Sequence, residues 1–476
     1  MLINLRRAHG SVKSKCWDDL KVFTNLRSLV TMVIFERIKA FLLLAVASIC
    51  FFTGHAQKLG LNKDGLFFYL NEDSSLYIKL NFVAQVWVRY TENNPGSTIQ
   101  GVPTNSVFDI GIRRTRMVMS GKFAPRTFFF LQFGQNSLTY LSPRKSGAFF
   151  HDITIEYQIM PKAFHLGGGL MGWDGPSRYS NSGVSSILGV DVPSFEEATN
   201  DINDQNVRKL GIFAKGTIGK VEYRFSVGKP FVIQTANPLP DPISKFSTYS
   251  TSPPKPALQS YVRYQFFENE NMQEAGTAGT YLGTKKVLNI GLGTNFQKDA
   301  MYHTAGSDTV HTNLVLLAAD AFADLPINKS KGDAITLYLS YCKYDFGDGY
   351  IKMSGAMNPA NGVILTEASF NGPGNAYPQL GNGSVVYFQG GYLLRKNLLG
   401  KAGTLQPYVD LTYGKFDRLN DPANVWDLGV NWLITGKRVK LTFDYQNRPI
   451  YALDPLSKPD IISRKGQWIC QFQLAL

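Results

Sequence analysis

The chain has few of the residues that usually build catalytic and metal sites. Its 476 residues include only four cysteines and six histidines, which are scattered along the sequence. The cysteines have no CxxC spacing, so the sequence predicts neither a disulfide framework nor a metal site. The chain also lacks a GxSxG elbow, an HExxH pair and a phosphate-binding loop that ends in Lys-Ser or Lys-Thr. These absences predict a protein that is not an enzyme and that uses no cofactor.

Long apolar runs are also missing, and the mean hydropathy is −0.12. The longest run, residues 40–52, is too short for a transmembrane helix of about 20 residues. It follows the charged segment 36–39 and precedes Gly54-His55-Ala56, which has small residues where signal cleavage requires them. We therefore predict a signal peptide over 32–56 and a single exported domain over 57–476. Residues 1–31 are interpreted as a doubtful N-terminal extension, because Met32 makes a better start than Met1.

Basic residues outnumber acidic residues, and the formal net charge of the chain is +13. Without residues 1–56 the chain has 41 Lys and Arg against 33 Asp and Glu, which is a net charge of +8. A basic balance suits nucleic acid, acidic surfaces or anionic solutes as partners. Since an exported domain does not normally meet nucleic acid, we expect small anions or other small polar solutes instead.

The sequence is rich in alternation of apolar and polar residues. From Leu76 to Tyr90 the even positions are apolar or aromatic, whereas the odd positions are mostly polar and include Lys79 and Arg89. This period of two is typical of a β-strand with one apolar face, because a helix would repeat every 3.6 residues. The same pattern recurs at 151–159, 221–227 and 439–446.

Sixteen segments with this character predict an all-β fold, a transmembrane antiparallel β-barrel. They lie at residues 76–90, 107–122, 126–135, 148–160, 163–173, 207–217, 220–230, 257–268, 285–296, 311–325, 333–345, 384–397, 402–415, 424–436, 437–449 and 464–476. Connections after even-numbered strands are mostly short, whereas 174–206, 231–256 and 346–383, after odd-numbered strands, are long. Short turns at one end and long loops at the other are typical of outer-membrane barrels. The long connection at 269–284 breaks this rule.

A soluble β-sandwich or soluble barrel would also show alternation. Two features favour the membrane barrel. The apolar face carries aromatic residues near strand ends, such as Tyr90, Trp426, Trp432 and Trp468, as the two membrane interfaces favour. The polar face carries charges at mid-strand, which a packed soluble core would not tolerate without partners.

Several strand motifs resemble the phosphate-selective porin (O and P) family of outer-membrane channels. These motifs are Arg113-Arg114-Thr115-Arg116 running to Ser120-Gly121-Lys122-Phe123, Phe128 to Gly134, Gly390-Gly391-Tyr392-Leu393-Leu394, Trp426-Asp427-Leu428-Gly429-Val430-Asn431-Trp432 and Val439 to Gln446. The resemblance implies a sixteen-stranded barrel in outer-membrane lipid and a homotrimer. It also implies a third loop that folds into the pore and lumen cations that attract anions.

Strand parity predicts which cations face the lumen and would bind a passing anion. They are Lys79, Arg89, Arg114, Arg116, Lys122, Arg126, Lys209, Lys215, Arg224, Arg263 and Lys440. The planar fork of arginine suits phosphate, because it binds two oxygens at once. The predicted constriction loop lies within 174–206 and opposes this preference, because it is mostly acidic. Its charged residues are Asp174, Arg178, Asp191, Glu196, Glu197, Asp201 and Asp204.

The sequence therefore predicts an outer-membrane porin for passive diffusion of small hydrophilic solutes, with anions such as phosphate favoured. Two alternatives stay open at this point. One is a porin that is non-selective or tolerates cations, for which the acidic loop would be the controlling element. The other is a structural or adhesive surface barrel, which a lack of conduction would indicate.

Overall fold

The computed structural model describes residues 59–62, 65–143, 145–172, 175–200, 208–232, 243–273, 276–453 and 458–476. The predicted signal peptide at 32–56 and the extension at 1–31 lie outside the described residues. Leu59–Leu476 forms one compact unit.

Sixteen antiparallel strands form one closed barrel. Each strand pairs with the next along the chain, and the last strand pairs with the first from Gln467 opposite Thr91 to Ala475 opposite Val83. The prediction of sixteen strands is confirmed. The strands are β1 Tyr77–Glu92, β2 Ser106–Ala124, β3 Thr127–Leu138, β4 Phe149–Met160, β5 Phe164–Met171, β6 Lys209–Ile218, β7 Val221–Lys229, β8 Ala257–Gln265, β9 Val287–Ala305, β10 Asp308–Asn328, β11 Asp333–Asp345, β12 Gly383–Leu393, β13 Thr404–Phe416, β14 Ala423–Thr435, β15 Val439–Tyr451 and β16 Ile461–Ala475.

Shorter elements decorate the barrel. The hairpin Leu59–Asn62 and Gly65–Tyr69 pairs with the start of β1. The other short strands lie in the connections: Ser97–Ile99, Val102–Pro103, Thr248–Tyr249, Ile351–Ser354, Gly362–Val363 and Tyr377–Gly381. Where the structure describes the chain, 3₁₀ helices lie at Arg178–Asn181, Val184–Ser186, Leu365–Glu367 and Gly400–Ala402. In the described parts of the chain, no helix has the length and apolarity needed to cross a membrane.

The two faces of the barrel wall differ as the alternation predicts. In β1, Tyr90 is 45% exposed on the outside, whereas its neighbour Arg89 is buried on the inside. In β4, Ile153, Ile155 and Tyr157 are exposed outside. Successive side chains of a strand point to opposite faces, so one pattern produces both an apolar exterior and a polar interior.

The barrel has a short-turn end and a long-loop end. Connections at the short-turn end include 125–126, 161–163 and 219–220, and β1 begins there. The long-loop end carries 172–208, 230–256 and 346–382. The sequence predicts one long connection, at 269–284, where a short turn is expected. The structure has this long connection at the short-turn end, over residues 266–286.

Candidate functional site: a side cavity in the barrel

Two long connections fill one side of the barrel interior. The inner faces of β10 to β12 are unusually apolar and include Leu316, Phe322 and Tyr387. Connection 172–208 packs its apolar residues Tyr179 and Phe195 onto this surface. The result is a hydrophobic core inside the barrel, so solutes are excluded from this side.

Connection 346–382 reaches the interior from the long-loop end. Arg89 of β1 donates hydrogen bonds to the carbonyl oxygens of Ala356 (2.9 Å) and Met357 (2.6 Å) in this connection. The same guanidinium forms a buried ion pair with Asp109 of β2. Arg89 thus fixes the connection to the wall and is not free to bind a passing anion.

A cavity of about 810 Å³ remains beside β1 to β4, and we call it the side cavity. Its lining at the short-turn end includes Tyr77 and Lys437, and its lining at the long-loop end includes Ser142 and Asn358. The described residues of its wall therefore extend from one end of the barrel towards the other.

Basic residues dominate the wall of the side cavity. Among the residues that the structure describes, eight Lys and Arg line it, against three Asp and Glu. The basic residues are Lys79, Arg113, Arg114, Arg116, Arg208, Lys352, Lys437 and Arg438, and the acidic residues are Asp152, Asp191 and Glu197. Such an excess of one sign in a low-dielectric wall raises the local concentration of ions of opposite sign.

A β-bulge in β2 brings two adjacent arginines into this cavity. Val86 of β1 pairs with Ile112 and Gln85 pairs with Arg114, which leaves Arg113 as the extra residue. A bulge interrupts strict alternation, so neighbouring side chains can share a face. Arg113 and Arg114 both line the side cavity.

Asp191 of connection 172–208 binds both arginines. Its Oδ2 accepts hydrogen bonds from Arg113 Nε (2.9 Å) and Nη2 (2.7 Å), and its Oδ1 accepts one from Arg114 Nη2. Burial alone would raise the pKa of the Asp191 carboxyl, but the charges of Arg113 and Arg114 hold that pKa below its ordinary value. This carboxylate shows that the arginine pair holds an anionic group with two oxygens.

Further basic groups surround this pair. Arg116 donates to Asn136 Oδ1 (2.5 Å), and Arg208 pairs with Asp152 at 3.2 Å. Arg208 also donates to the carbonyl oxygen of His151 at 2.9 Å. Arg116 and Arg208 therefore add two more positive charges to the wall beside the Arg113 and Arg114 pair.

The predicted lumen cations of β1 and β2 have different positions. Lys79, Arg114 and Arg116 line the side cavity, and Lys122 is half-buried near the short-turn end of β2. Arg126 is a correction to the parity prediction: it is exposed in the turn between β2 and β3, with φ at 62°. The turn ends the alternation there, so Arg126 does not face the lumen.

The remaining predicted cations are buried in the wall and engaged with other groups. Lys215 pairs with Glu156 at 2.6 Å, whereas Arg224 and Arg263 pair with Glu222. Lys209 donates to Thr199 Oγ1 at 3.2 Å, and Lys440 donates to the Ile187 carbonyl oxygen at 2.9 Å. These last two lysines attach connection 172–208 to the barrel, and none of the five is among the described residues of the side cavity wall.

The predicted constriction loop folds into the interior, but its acidic residues do not form one charged surface. Asp191 binds arginines, Glu196 accepts a hydrogen bond from Ser340 Oγ at 2.7 Å, and Arg178 pairs with Glu270 at 2.6 Å. Burial raises the pKa of the Glu197 carboxyl above its ordinary value, despite the opposing charges of Arg114 and Arg208. The other three predicted residues, Asp174, Asp201 and Asp204, lie outside the described residues.

Sequence reasoning missed five cations of the side cavity: Arg113, Arg208, Lys352, Lys437 and Arg438. Four of them lie in connections, to which strand parity does not apply. Arg113 had a signal in the sequence, since three arginines within the four residues 113–116 cannot all face one side of a regular strand. Among the described residues, no group of His, Cys, Asp and Glu is placed to hold a metal ion.

No family model and no curated protein matches the chain. Solved structures with a similar fold include outer-membrane expressed OmpT of Vibrio cholerae, at 8% identity and a TM-score of 0.42 over 86% of this chain and 100% of that one. Others are OprB of Pseudomonas putida, at 9% identity and 0.49 over 85% and 95%, and an anion-selective porin from Comamonas acidovorans, at 11% and 0.43 over 84% and 99%. Membership of the phosphate-selective porin family stays a prediction.

Proposed function

We propose that this chain is an outer-membrane porin in which small hydrophilic solutes diffuse along the side cavity, with anions favoured. The observation that carries the proposal is the wall of that cavity, where the described residues include eight basic and three acidic ones. A channel needs sites that attract an ion and yet release it. A chain of neighbouring cations provides such sites, because an anion can pass from one to the next.

The exterior of the barrel supports a location in lipid. Exposed apolar residues such as Leu292 and Ile212 cover the outer face. An aromatic group near the long-loop end consists of Trp426, Tyr445 and Trp468. The centroid of the Tyr445 ring lies 5.5 Å from that of Trp426 and 4.4 Å from that of Trp468. Aromatic residues of this kind favour the interface between lipid and water. Export by the predicted signal peptide would deliver the chain to the outer membrane, and the resemblance implies a homotrimer there.

Phosphate is the finer part of the proposal. Arg113 and Arg114 hold both oxygens of the Asp191 carboxylate, and a phosphate that displaces this carboxylate would meet the same donors with two of its own oxygens. The resemblance of the β2 motif to phosphate-selective porins points the same way. Chloride preference would follow from the net charge of the wall alone, whereas phosphate preference needs the arginine pair.

A structural or adhesive surface barrel is the second candidate. Connections 172–208 and 346–382 fill a large part of the interior, and this observation favours a barrel that conducts little. The two candidates differ in whether the side cavity passes ions.

The test is the current through the purified protein in a planar bilayer across a KCl gradient. We expect discrete channels, a reversal potential that shows chloride preference, and a smaller current when phosphate is added. Cation preference or no preference would contradict the anion proposal and favour the non-selective porin. A folded barrel without any current would contradict the porin proposal and favour the surface barrel.

A further inference from the structure

Connection 266–286 is unusual because it starts at the short-turn end and yet enters the barrel interior. Its residues Asn271, Gln273 and Gly276 line the side cavity, together with Asn181 to Ser185 of connection 172–208. Connection 172–208 comes from the opposite end of the barrel. Segments from both ends therefore share one wall of the cavity.

The two connections are joined by main-chain hydrogen bonds. Thr277 N donates to the Asn181 carbonyl oxygen at 2.7 Å, and Gly183 N donates to the Thr277 carbonyl oxygen at 2.8 Å. Ser182 and Thr277 form an isolated parallel β-bridge. A Cβ atom placed on Gly276 would lie 2.7 Å from Gly183 N, so only glycine allows the two backbones to come this close.

A buried ion pair holds the joint from behind. Both terminal nitrogens of Arg178 donate to the Glu270 carboxylate, at 2.7 and 2.6 Å. Arg263 of β8 donates to the same carboxylate at 2.6 Å, and so does the Tyr281 hydroxyl. Burial alone would raise the pKa of the Glu270 carboxyl, but the charges of Arg178 and Arg263 hold that pKa well below its ordinary value. Glu270 is therefore an anion shared by both connections and the barrel wall.

We infer that this joint, which we call the clasp (Arg178, Asn181–Gly183, Glu270 and Gly276–Thr277), sets the largest solute that the side cavity admits. The inference rests on the proposed porin function. Glu270 and Arg178 act as positioning residues, because they are buried and hold the segments that line the cavity. Without the clasp, connection 172–208 stays attached to the barrel wall, for example through Lys440 and the Ile187 carbonyl oxygen, and connection 266–286 stays attached through Thr280 and Asp324. Most of the hydrogen bonds that join the two connections to each other are lost, so the shared wall separates between Gly183 and Gly276 and the passage widens.

The test uses Glu270→Gln in the full chain, with Glu268→Gln as the matched control. Glu268 lies in the same connection, is exposed, and accepts a hydrogen bond from Lys286 N at 2.8 Å. The readout is the swelling rate of proteoliposomes in uncharged sugars of increasing size, from monosaccharide to tetrasaccharide. We expect the rate for larger sugars, relative to the monosaccharide, to rise several-fold in E270Q and to stay unchanged in E268Q.

A second variant keeps the inference testable if E270Q does not fold. Gly276→Val places a side chain between the two backbones and leaves every charge in place. Gly147→Val is its control, because a Cβ atom there meets nothing within 4 Å. G276V should admit larger sugars in the same way as E270Q, whereas G147V should behave as the unaltered protein.

A disulfide across the clasp provides a rescue. In a chain whose native cysteines are replaced by alanine, Ser182→Cys and Thr277→Cys are combined with E270Q. Residues in a β-bridge lie close enough for a disulfide, which spans roughly 4.4–6.8 Å between Cα atoms. Oxidation should restore the original size limit, and reduction should remove it again.

The outcomes separate this inference from the porin proposal. If the unaltered protein admits no sugar and carries no current, the porin proposal fails and the clasp inference fails with it. If the unaltered protein conducts, but folded E270Q and G276V show its original size limit, only the clasp inference is overturned. Uncharged sugars make the result independent of anion preference.

Discussion

Arg113 and Arg114 both contribute a charge to the interior, whereas strict alternation would place one of the two against lipid. The bulge at Arg113 turns it towards the side cavity beside Arg114. Its guanidinium lies over the Trp87 ring, 5.5 Å from the ring centroid, and this contact adds a cation–π attraction. Arg113 is thus held from two sides, by the ring and by the Asp191 carboxylate.

We predict that Arg113→Met lowers the permeability ratio of chloride over potassium. The permeability ratio should fall about five-fold, which corresponds to about 1 kcal/mol less electrostatic preference for chloride, because the charge acts across a partly hydrated lumen. Asp191→Asn should shift the ratio in the opposite direction. The measurement is the reversal potential in a KCl gradient, and Arg126→Met is the control, because Arg126 is exposed in a turn. Equal ratios for R113M and R126M would show that Arg113 does not face the conducting path.

At this scale, sequence predicts best where the strand is regular. Lys79, Arg114 and Arg116 follow the parity of β1 and β2 and line the cavity. Arg113 does not follow it, because a bulge depends on how β1 and β2 align and not on the identity of one residue. Arg126 does not follow it either, because the strand has already ended.

The docking of connection 172–208 onto the inner wall depends on the buried carboxyl group of Glu196. Glu196 accepts hydrogen bonds from Ser340 Oγ (2.7 Å), Tyr338 OH (3.2 Å) and Ser177 Oγ. Burial raises the pKa of the Glu196 carboxyl to about 7, although these hydrogen bonds act to lower it. The docked connection therefore favours the protonated form, and its ordinary pKa of 4.5 applies when the connection is released.

We predict that docking of this connection weakens as the pH rises. The contribution of Glu196 is fully present below pH 4.5 and is lost as the pH rises through about 7, since ionisation then places a charge in the core. Over this pH range the free energy of docking of the connection should weaken by about 3 kcal/mol. Hydrogen-exchange protection factors of the amides in 176–200, measured at pH 5 and pH 8.5, should show the loss. Glu196→Gln should remove the difference, and the same pH dependence in E196Q would contradict the assignment.

The strands and their connections differ in how far sequence can predict them. Sixteen strands are predictable because apolar and polar residues alternate in each of them. This alternation arises wherever one face of a strand contacts an apolar environment and the other contacts water. The inward folds of 172–208 and 346–382 depend on contacts between residues far apart in sequence, such as Arg89 with Met357. The length of 269–284 signals an exception at the short-turn end, but length alone does not indicate that the connection binds Arg178.

In the whole molecule, the interior is divided into a filled side and a side cavity. Apolar inner faces of β10 to β12 hold one side closed, and basic residues of β1, β2 and the connections line the other. A sixteen-stranded barrel is wide enough for a channel when its lumen is free. Here the packing leaves the open part of the lumen on one side, and in the proposed porin solutes pass along this mostly basic part.

The most direct test of this account compares two serines on the inner wall. Ser120 of β2 lines the side cavity, whereas Ser340 of β11 is buried beneath connection 172–208. Each is replaced by cysteine in a chain whose native cysteines are alanine, and single-channel current is recorded before and after a negatively charged thiol reagent is added. The account predicts that the current through Ser120→Cys falls and that the current through Ser340→Cys does not change. Loss of current in S340C, with no change in S120C, would contradict it.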